Sequence, residues 1–213
     1  YAVTQAEIKA WNKIDSSDDD TVVALIERAV HNWAKEYTSR SLTTVTYNLF
    51  IDSIYSVDIP IAEGSYVGID RDINRRSIIL PKSPVASVTH IKYYNEEDSS
   101  TTYATSNYFL DNAAMPGKIV LRNGASWPTG LRVANALEIK YVAGYGGTTA
   151  VPYDIKAACL EYSAYIFEHR GDLLDGKTIN APTSATQLLQ PYVIKNLSTH
   201  PYRGTAHYGG MFG

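Results

Sequence analysis

Two stretches near the start of the chain have apolar residues at the spacing of a helix. The first is TQAEIKAWNKI, residues 4–14, which predicts a short helix. Thr4 and Glu7 have the spacing of a capping box, in which the Thr4 hydroxyl accepts a hydrogen bond from the Glu7 amide and the Glu7 carboxylate reaches back. Ile8 and Trp11 are predicted to lie on one face of this helix.

The second stretch, DDDTVVALIERAVHNWAKEYTSRSL, begins at Asp18 and predicts a long helix. Its predicted N-cap is Ser17 or Asp18, and the three consecutive aspartates at residues 18–20 lie where the helix dipole favours negative charge. The predicted core stripe of this helix consists of Val22, Leu25, Ile26, Ala29, Val30, Trp33 and Tyr37.

From residue 43 the pattern changes to β-branched and aromatic residues interrupted by turns. The runs are TTVTYNLFI, RSIILP, ASVTHIKYY, TTYA, YFLD, GKIVL and ALEIKYVAGY. Some seven short strands over about a hundred residues predict an antiparallel sheet or a small barrel.

Helical spacing returns in PYDIKAACLEYSAYIFEHRGD, residues 152–172, with Pro152 at the first helical position and Gly171 at the stop. A shorter helix is predicted at residues 185–194, broken at Pro191. The apolar stripe of the longer helix is Ile155, Cys159, Tyr162 and Ile166.

The order of helices, strands and helices predicts an α+β fold. We expect a helical core formed by residues 1–42 and 151–194, with an antiparallel β module inserted at residues 43–150. The last residues, KNLSTHPYRGTAHYGGMFG at 195–213, contain no acidic side chain and little that could form a core, so they predict an extended C-terminal tail.

Composition narrows the class of protein. The chain has 213 residues, of which 45% are hydrophobic and 19% charged, enough to bury a core in one large domain or two small ones. It lacks an apolar stretch long enough for a membrane span and the residue order of a signal peptide, so we expect synthesis in a cytoplasm and no membrane partner. The net charge of −3 argues against tight nucleic-acid binding, and seventeen tyrosines suit protein interfaces.

The stretch YVAGYGGTTAVPYDIKAA, residues 141–158, joins a predicted strand to a predicted helix through three glycines. Phosphate loops and dinucleotide-binding turns need glycine patterns that lead directly into the helix, and neither pattern is present here. Gly147 is followed by four further residues before Pro152 starts the helix. We therefore expect a structural connector that uses no nucleotide.

Clusters of acidic residues raise the alternative of a divalent metal site. The candidates are the aspartates at residues 18–20 and the pair Asp70 and Asp72. A calcium loop needs alternating oxygen ligands closed by a distant glutamate, and that pattern is absent. Helix capping and a charged turn are the preferred interpretations, so we expect no metal and no cofactor.

Candidate catalytic groups do not come together in the sequence. Cys159, the single cysteine, and His169 would lie about 15 Å apart along one predicted helix, which is too far for a nucleophile and its base. The remaining histidines have no zinc-binding spacing, and no nucleophile elbow occurs. We therefore expect a binding or structural protein and no enzyme. Those histidines are His31, His90, His200 and His207.

Several phrases in this order resemble the head-tail connector family of tailed bacteriophages, the adaptor proteins that join portal to tail. AKEYTSRSL at residues 34–42 resembles the family's Y-T-G-R-x-L helix end, with Ser39 at the glycine position. LPKSPVASVT at residues 80–89, PGKI from Pro116, Trp127 with Pro128, and EHR at residues 168–170 also match. The strongest matches are YVAGYG and VPYDIKAA, followed by LLQPY at residues 188–192.

The resemblance implies a structural virion protein, located at the head-tail interface. Such a subunit belongs to a ring of about twelve copies that docks beneath the portal and presents a platform to a stopper or tail-completion protein. DNA would pass through the channel without sequence-specific binding. Related adaptors occur in gene transfer agents, and the phrases do not separate the two. Loops at residues 52–76 and 95–107 are candidates for contacts with the next ring.

The tail supplies the candidate partner-binding residues. Its apolar side chains have no core of their own to join, so we expect the tail to become ordered against the portal or a neighbouring subunit. A flexible tail with no partner is the alternative. The candidate residues are Tyr202, Arg203, Tyr208, Met211 and Phe212.

A carbohydrate-binding or receptor-binding β module of a phage particle is the alternative function. Exposed tyrosine and tryptophan rings could stack on sugar rings, and this function predicts an aromatic patch in a concave site. A hydrolase, the third alternative, predicts converging polar groups.

Overall fold

The computed structural model describes residues 1–52, 76–169 and 181–194 and divides into two units. The helical unit contains the described residues of Tyr1–Thr44 together with those from Gly144 onward, and the β unit contains those of Val45–Ala143. Helices occupy one unit and antiparallel strands the other, which confirms the predicted α+β fold.

The helical unit contains four α-helices among the described residues: α1 (Gln5–Asn12), α2 (Asp20–Thr38), α3 (Tyr153–Glu168) and α4 (Thr183–Leu189). Their shared core is apolar, and its members come from both ends of the sequence. The fully buried ones include Val3, Ile8, Val23, Val30, Ile155, Cys159 and Leu189. No helix in the described part of the chain has the length and apolar character needed to cross a membrane.

The capping box of α1 is present as predicted. The Glu7 amide donates to the Thr4 hydroxyl at 3.2 Å, and the Thr4 amide donates to the Glu7 carboxylate at 2.7 Å. Ile8 is fully buried, whereas Trp11 is 53% exposed, so the predicted common face is not a common buried face. Positions three apart differ by about 60° around a helix, and α1 buries only the narrower sector that contains Ile8.

The start of α2 differs from the prediction. Its N-cap is Asp19, which makes no side-chain capping hydrogen bond, so neither Ser17 nor Asp18 is the cap. Asp20 is the first helical residue and pairs with Lys9 of α1 at 2.7 Å. The carboxylate therefore joins two helices in addition to lying at the positive end of the dipole.

The buried face of α2 is rotated from the predicted stripe. Leu25 is 61% exposed and Ala29 is also exposed, so both were wrongly assigned to the core. Hydrophobicity marks every apolar position of the helix, but the neighbouring helices cover only one sector of it. The residues that are buried instead are Val23, Ile26, Glu27, Val30, His31, Ala34 and Thr38.

The residue after α2, Ser39, adopts a left-handed conformation with φ of 56°. Glycine is the residue that reaches this region most easily, and a serine there bears a steric cost of about 1–2 kcal/mol. The Ser39 amide donates to the Glu36 carbonyl, so the helix still closes with an internal hydrogen bond. Ser39 thus ends the helix with the backbone geometry that glycine favours.

The C-terminal helices begin and end close to the predicted positions. The helix α3 begins at Tyr153, one residue later than predicted, so Pro152 is its N-cap and not its first helical residue. The predicted stop at Gly171 lies outside the described residues. Of the predicted stripe of α3, Ile155 and Cys159 are buried and the other two residues are half-buried. The predicted break at Pro191 is confirmed, because α4 ends at Leu189 and a 3₁₀ turn follows at Gln190–Tyr192.

The β unit contains all seven predicted strands, arranged as two sheets. The first has the order β1 (Val45–Ile51), β7 (Leu137–Ala143), β3 (Val85–Tyr94) and β4 (Ser100–Thr102). The second has the order β2 (Ser77–Ile79), β6 (Lys118–Leu121) and β5 (Tyr108–Asp111). Among the described residues all the pairings are antiparallel, and the strands form two sheets with no pairing between them.

Strand β7 is an inner strand of the first sheet, where it pairs with both β1 and β3. Its residues alternate strictly between buried and half-buried, as a strand with one covered face must. Leu137, Ile139 and Tyr141 are fully buried among residues of both sheets, including Ile91, Ile119 and Leu121. The two sheets therefore share one apolar core.

The two units divide between Ala143 and Gly144, which is earlier in the chain than the predicted boundary between residues 150 and 151. The last pairing of β7 is Ala143 with Val45. Immediately beyond it, the Thr44 amide donates to the Gly146 carbonyl at 2.9 Å, within the helical unit. Residues 144–147, which we call the glycine stretch, therefore belong to the helical unit.

Gly144 has a φ of 130°, which side chains rarely tolerate, and a Cβ at this position would lie 2.1 Å from the Thr43 carbonyl oxygen. We expect Gly144→Ala to lower the free energy of unfolding by about 3 kcal/mol, because backbone atoms cannot move aside as a flexible side chain can. Gly147→Ala is the matched control, since its φ is −75° and a Cβ there meets no atom within 4 Å. Urea unfolding measures the stability of both variants. Equal midpoints would contradict the conclusion that residue 144 has no room for a Cβ.

His31 is a buried residue of α2 whose protonation affects the stability of the fold. The Ala2 amide donates to His31 Nδ1 at 3.1 Å, which requires that nitrogen to carry no proton. Burial lowers the pKa of His31 from 6.5 to about 4, and the positive charge of Lys35 acts in the same direction.

Because the pKa is lower in the folded chain, the unfolded chain takes up a proton between about pH 6.5 and pH 4 that the folded chain does not. Acidification from pH 7 to pH 5 is therefore expected to lower the unfolding free energy by about 1–2 kcal/mol through His31. Urea titrations followed by circular dichroism at helix wavelengths would measure this. In His31→Gln that part of the pH dependence is expected to disappear. His90→Gln, a control in the β unit, is expected to leave it unchanged. Equal pH dependence in wild type and His31→Gln would contradict the assignment of this effect to His31.

Candidate functional site: the root of the C-terminal tail

The predicted partner-binding residues Tyr202, Arg203, Tyr208, Met211 and Phe212 lie outside the described residues, as does the whole tail at 195–213. The structure does describe the segment from which the tail leaves. We call residues 190–194 the tail root. Its contacts fix where the tail begins.

The tail root is attached to the C-terminal end of α2. The Ile194 amide donates to the Thr38 carbonyl at 3.1 Å. That carbonyl is among the last four of α2, which have no partner within the helix. The Gln190 amide group donates to the Tyr37 hydroxyl at 3.2 Å. The tail root therefore caps the end of α2 through its backbone and contacts the last turn of α2 through the Gln190 side chain.

Arg40 holds the same segment from the turn after α2. It is buried, and its Nε–H donates to the Tyr192 carbonyl while Nη1 donates to the Tyr145 hydroxyl at 3.1 Å. The guanidinium carbon lies 6.0 Å from the centre of the Tyr192 ring, within the range of a cation–π interaction. One side chain thus joins the end of α2, the glycine stretch and the tail root.

The Tyr192 ring is also held at its far end. Its hydroxyl donates to the Asp154 carboxylate in the first turn of α3, at 2.9 Å. Burial raises the pKa of Tyr192, and the hydrogen bond to Asp154 raises it further. Since the hydroxyl stays protonated at neutral pH, it remains a donor to the carboxylate.

Four of the phrases quoted for the family resemblance meet at this place. Tyr37 and Arg40 come from YTSRSL, Tyr145 from YVAGYG, Asp154 from VPYDIKAA, and Tyr192 from LLQPY. The sequence alone predicted the helix ends but not this convergence, because Arg40 and Tyr192 are 152 positions apart. The available signal in the sequence was an arginine close to a helix end, and that signal does not identify the partners of the arginine.

The other candidate chemistry is not assembled in the described residues. Cys159 is buried, donates weakly to the Val30 carbonyl at 3.8 Å, and has its pKa raised to about 12 by burial. His169 contacts the Tyr165 carbonyl through Nδ1 at 2.9 Å and stacks on the Tyr165 ring. Cys159 is thus a core residue whose thiol stays protonated, and the two side chains have different partners.

Acidic residues form no metal site in the described part of the chain, where no group of three potential ligands comes together. Of the candidate aspartates at residues 18–20, Asp20 is paired with Lys9, and the Asp18 amide donates to Ser16 Oγ at 3.0 Å. Asp70, Asp72, His200 and His207 lie outside the described residues.

The β unit has an open groove of about 420 Å³. Because aromatic side chains line this groove, it is the candidate sugar-binding site of the alternative function. Its lining includes Tyr93, Tyr103, Asn107 and Trp127. Trp127 is only 4% exposed and Tyr103 only 7%, and their ring centres lie 5.5 Å apart. The Tyr103 hydroxyl donates to the Ser126 carbonyl at 2.7 Å. Rings covered in this way pack against each other and leave no face on which a sugar could stack.

Comparisons with known proteins give matches in structure. No family model matches the sequence, and no curated protein does. A chain from the neck of an empty gene transfer agent particle computed with C6 symmetry aligns with a TM-score of 0.69 and 20% identity, over 94% of each chain. A chain from the virion of a native gene transfer agent particle aligns with a TM-score of 0.69 and 18% identity, over 93% of each.

A third match is a chain from the neck of a native gene transfer agent particle computed with C12 symmetry. Its TM-score is 0.63 and its identity 20%, over 94% of this chain and 97% of that one. The chain shares its fold with these gene transfer agent proteins. At an identity of 20% the likeness shows a shared fold and nothing beyond it. The alignment covers 94% of the chain and therefore includes residues of both units.

The burial of Trp127 and Tyr103 predicts that these rings stabilise the β unit, which a pair of substitutions can test. We expect Trp127→Ala to lower the unfolding free energy by about 3–5 kcal/mol, because it removes a large buried side chain. Val133→Ala in the same unit, at a position that is 93% exposed, is expected to change it by less than about 0.5 kcal/mol. Retention on a glycan array that depends on Trp127 while its variant keeps wild-type stability would instead favour sugar binding.

Proposed function

We propose that this chain is a head-tail connector, an adaptor subunit that forms a ring of twelve copies between the portal and a stopper or tail-completion protein. In this proposal it is a structural virion protein of a bacteriophage or gene transfer agent particle, made in the host bacterial cytoplasm. It is not an enzyme, and it lies at the head-tail interface. DNA passes through the ring without sequence-specific binding.

The observation that carries the proposal is the fold match over 94% of the chain to a protein of a gene transfer agent neck. The phrases that resemble the connector family support the same function, since they extend from residue 34 to residue 192 of the chain. Particles in that comparison were computed with C6 and C12 symmetry, which is compatible with a twelve-membered ring.

Charge suits passage of DNA through a ring of such subunits. Each chain carries a formal charge of −3, and a repeated negative charge around a channel repels phosphate. This lowers the residence of DNA on the wall, whereas a basic surface would retain it.

The tail is the proposed contact with the portal. Residues 195–213 combine two basic side chains with Tyr202, Tyr208, Met211 and Phe212, and they begin at a firmly held root. Aromatic and arginine side chains supply much of the binding energy of protein interfaces. The hairpin region at 95–107, where Arg132 pairs with Asp98 at 3.2 Å, is the described part of the proposed contact with the next ring. The other proposed loop, at 52–76, lies almost entirely outside the described residues.

Purified chain mixed with the portal of the same particle is expected to form rings on it that are visible by negative stain and measurable by mass photometry. A chain ending at Ile194 is expected to lose portal binding by at least about a hundredfold, since it lacks the aromatic anchors. A chain in which residues 195–213 are scrambled keeps the same charge and composition and is the matched control for non-specific attraction.

A monomer in isolation is compatible with the proposal, because a portal can template the ring by mass action. A chain that ignores the portal at every concentration tested, and is retained by glycans, would contradict the connector function and favour the receptor-binding alternative.

A further inference from the structure

Arg40 is a buried cation that is fixed from several sides. A guanidinium cannot lose its charge in a protein, so its burial is costly unless its N–H groups find acceptors. Two of those acceptors are the Tyr192 carbonyl and the Tyr145 hydroxyl. An arginine that served only to end α2 would need neither of them, since the Ser39 amide already closes that helix on Glu36.

The contacts of Arg40 act on the backbone of the tail root. Its Nε–H binds the carbonyl of Tyr192, two residues before Ile194, whose amide binds Thr38 at 3.1 Å. The Tyr192 side chain is held separately by Asp154 at 2.9 Å. A residue held at its carbonyl, its ring face and its hydroxyl keeps one backbone conformation, and this sets the direction in which the chain continues.

The direction of the chain at Ile194 matters for any partner that binds the tail. A segment that leaves from a fixed point in a fixed direction loses less conformational entropy on binding than one that leaves from a loose end. In a ring, the same root on every subunit would also present the tails in register to one partner.

We propose that Arg40 is a positioning residue for partner binding: by fixing the Tyr192 backbone it sets the place and direction at which residues 195–213 leave the helical unit. The inference rests on the proposed function, because it concerns the tail as the portal-binding segment. It goes further by assigning the orientation of the tail to a residue that is 155 positions before its first residue in the sequence.

Substitution of Arg40 tests the proposal. Arg40→Gln removes the charge and the forked donors, and Arg40→Lys keeps the charge but lacks the Nε–H donor with its planar fork. Both are expected to weaken binding to the purified portal by about tenfold. Both are also expected to speed hydrogen–deuterium exchange of the Val193 and Ile194 amides, which the wild-type root protects with hydrogen bonds to Gln190 and Thr38.

Two further variants separate positioning from folding. Asp154→Asn leaves Arg40 in place and weakens only the outer hold on Tyr192, so it is expected to reduce portal affinity about threefold without loss of the folded state. Arg122→Gln is the matched control in the β unit, where the Arg122 guanidinium carbon lies 5.8 Å from the centre of the Phe109 ring and its Nε–H donates to the Tyr108 carbonyl at 3.2 Å. It is expected to bind the portal as wild type does.

The outcomes are distinct. Weaker portal binding by the Arg40 variants and by Asp154→Asn, with faster exchange at the root and an unchanged melting temperature, supports the proposal. Fast exchange at Ile194 with undiminished portal affinity overturns it. If the Arg40 variants unfold, wild-type affinity of the folded Asp154→Asn variant overturns it in the same way. A chain ending at Ile194 that still binds the portal as tightly as the full chain overturns the proposed role of the tail itself, a failure recognisable before any Arg40 variant is made.

Discussion

An inserted module requires the chain to leave and re-enter its parent unit at neighbouring points, and in this protein a backbone-to-backbone approach at Gly144 meets that requirement. The Thr43 carbonyl occupies the space that a Cβ of residue 144 would need, and the Thr44 amide binds the Gly146 carbonyl. Directly beyond, Val45 pairs with Ala143 as the first rung of the β unit. The outgoing and returning segments thus run side by side, so the register of β1 with β7 follows from where the helical unit releases the chain.

Two buried polar residues of the helical unit, Thr38 and Arg40, contact the segment that leads to its C-terminal end. Thr38 is the last residue of α2 and its carbonyl accepts from Ile194, while Arg40 follows the helix and binds Tyr192 and Tyr145. An apolar side chain at position 40 could pack there, but it could not fix a carbonyl. The polar groups therefore contribute a defined direction of the chain in addition to stability, which apolar packing alone specifies less well.

The sequence predicts local structure in this protein better than it predicts contacts. The seven strands, the capping box at Thr4 and the break at Pro191 follow from residues within a few positions of one another. The face of α2 does not: Leu25 is as apolar as Ile26, and only the position of the neighbouring helices decides that one is exposed and the other buried. The tail root depends on contacts between segments more than a hundred residues apart, such as Arg40 with Tyr145, which no local pattern encodes.

The phrases that resemble the connector family coincide with positions where the backbone restricts the residue. Ser39 occupies a left-handed conformation, Gly144 tolerates no side chain, Pro152 precedes α3, and Arg40 binds two other segments. Such positions restrict the backbone more than exposed positions do, and the TM-score of 0.69 shows that the fold is shared at 20% identity. The same reasoning limits what the phrases convey: they specify how the chain folds and where its tail begins. The choice of partner, in the proposed connector, then depends on side chains that the fold leaves free to vary, above all those of residues 195–213.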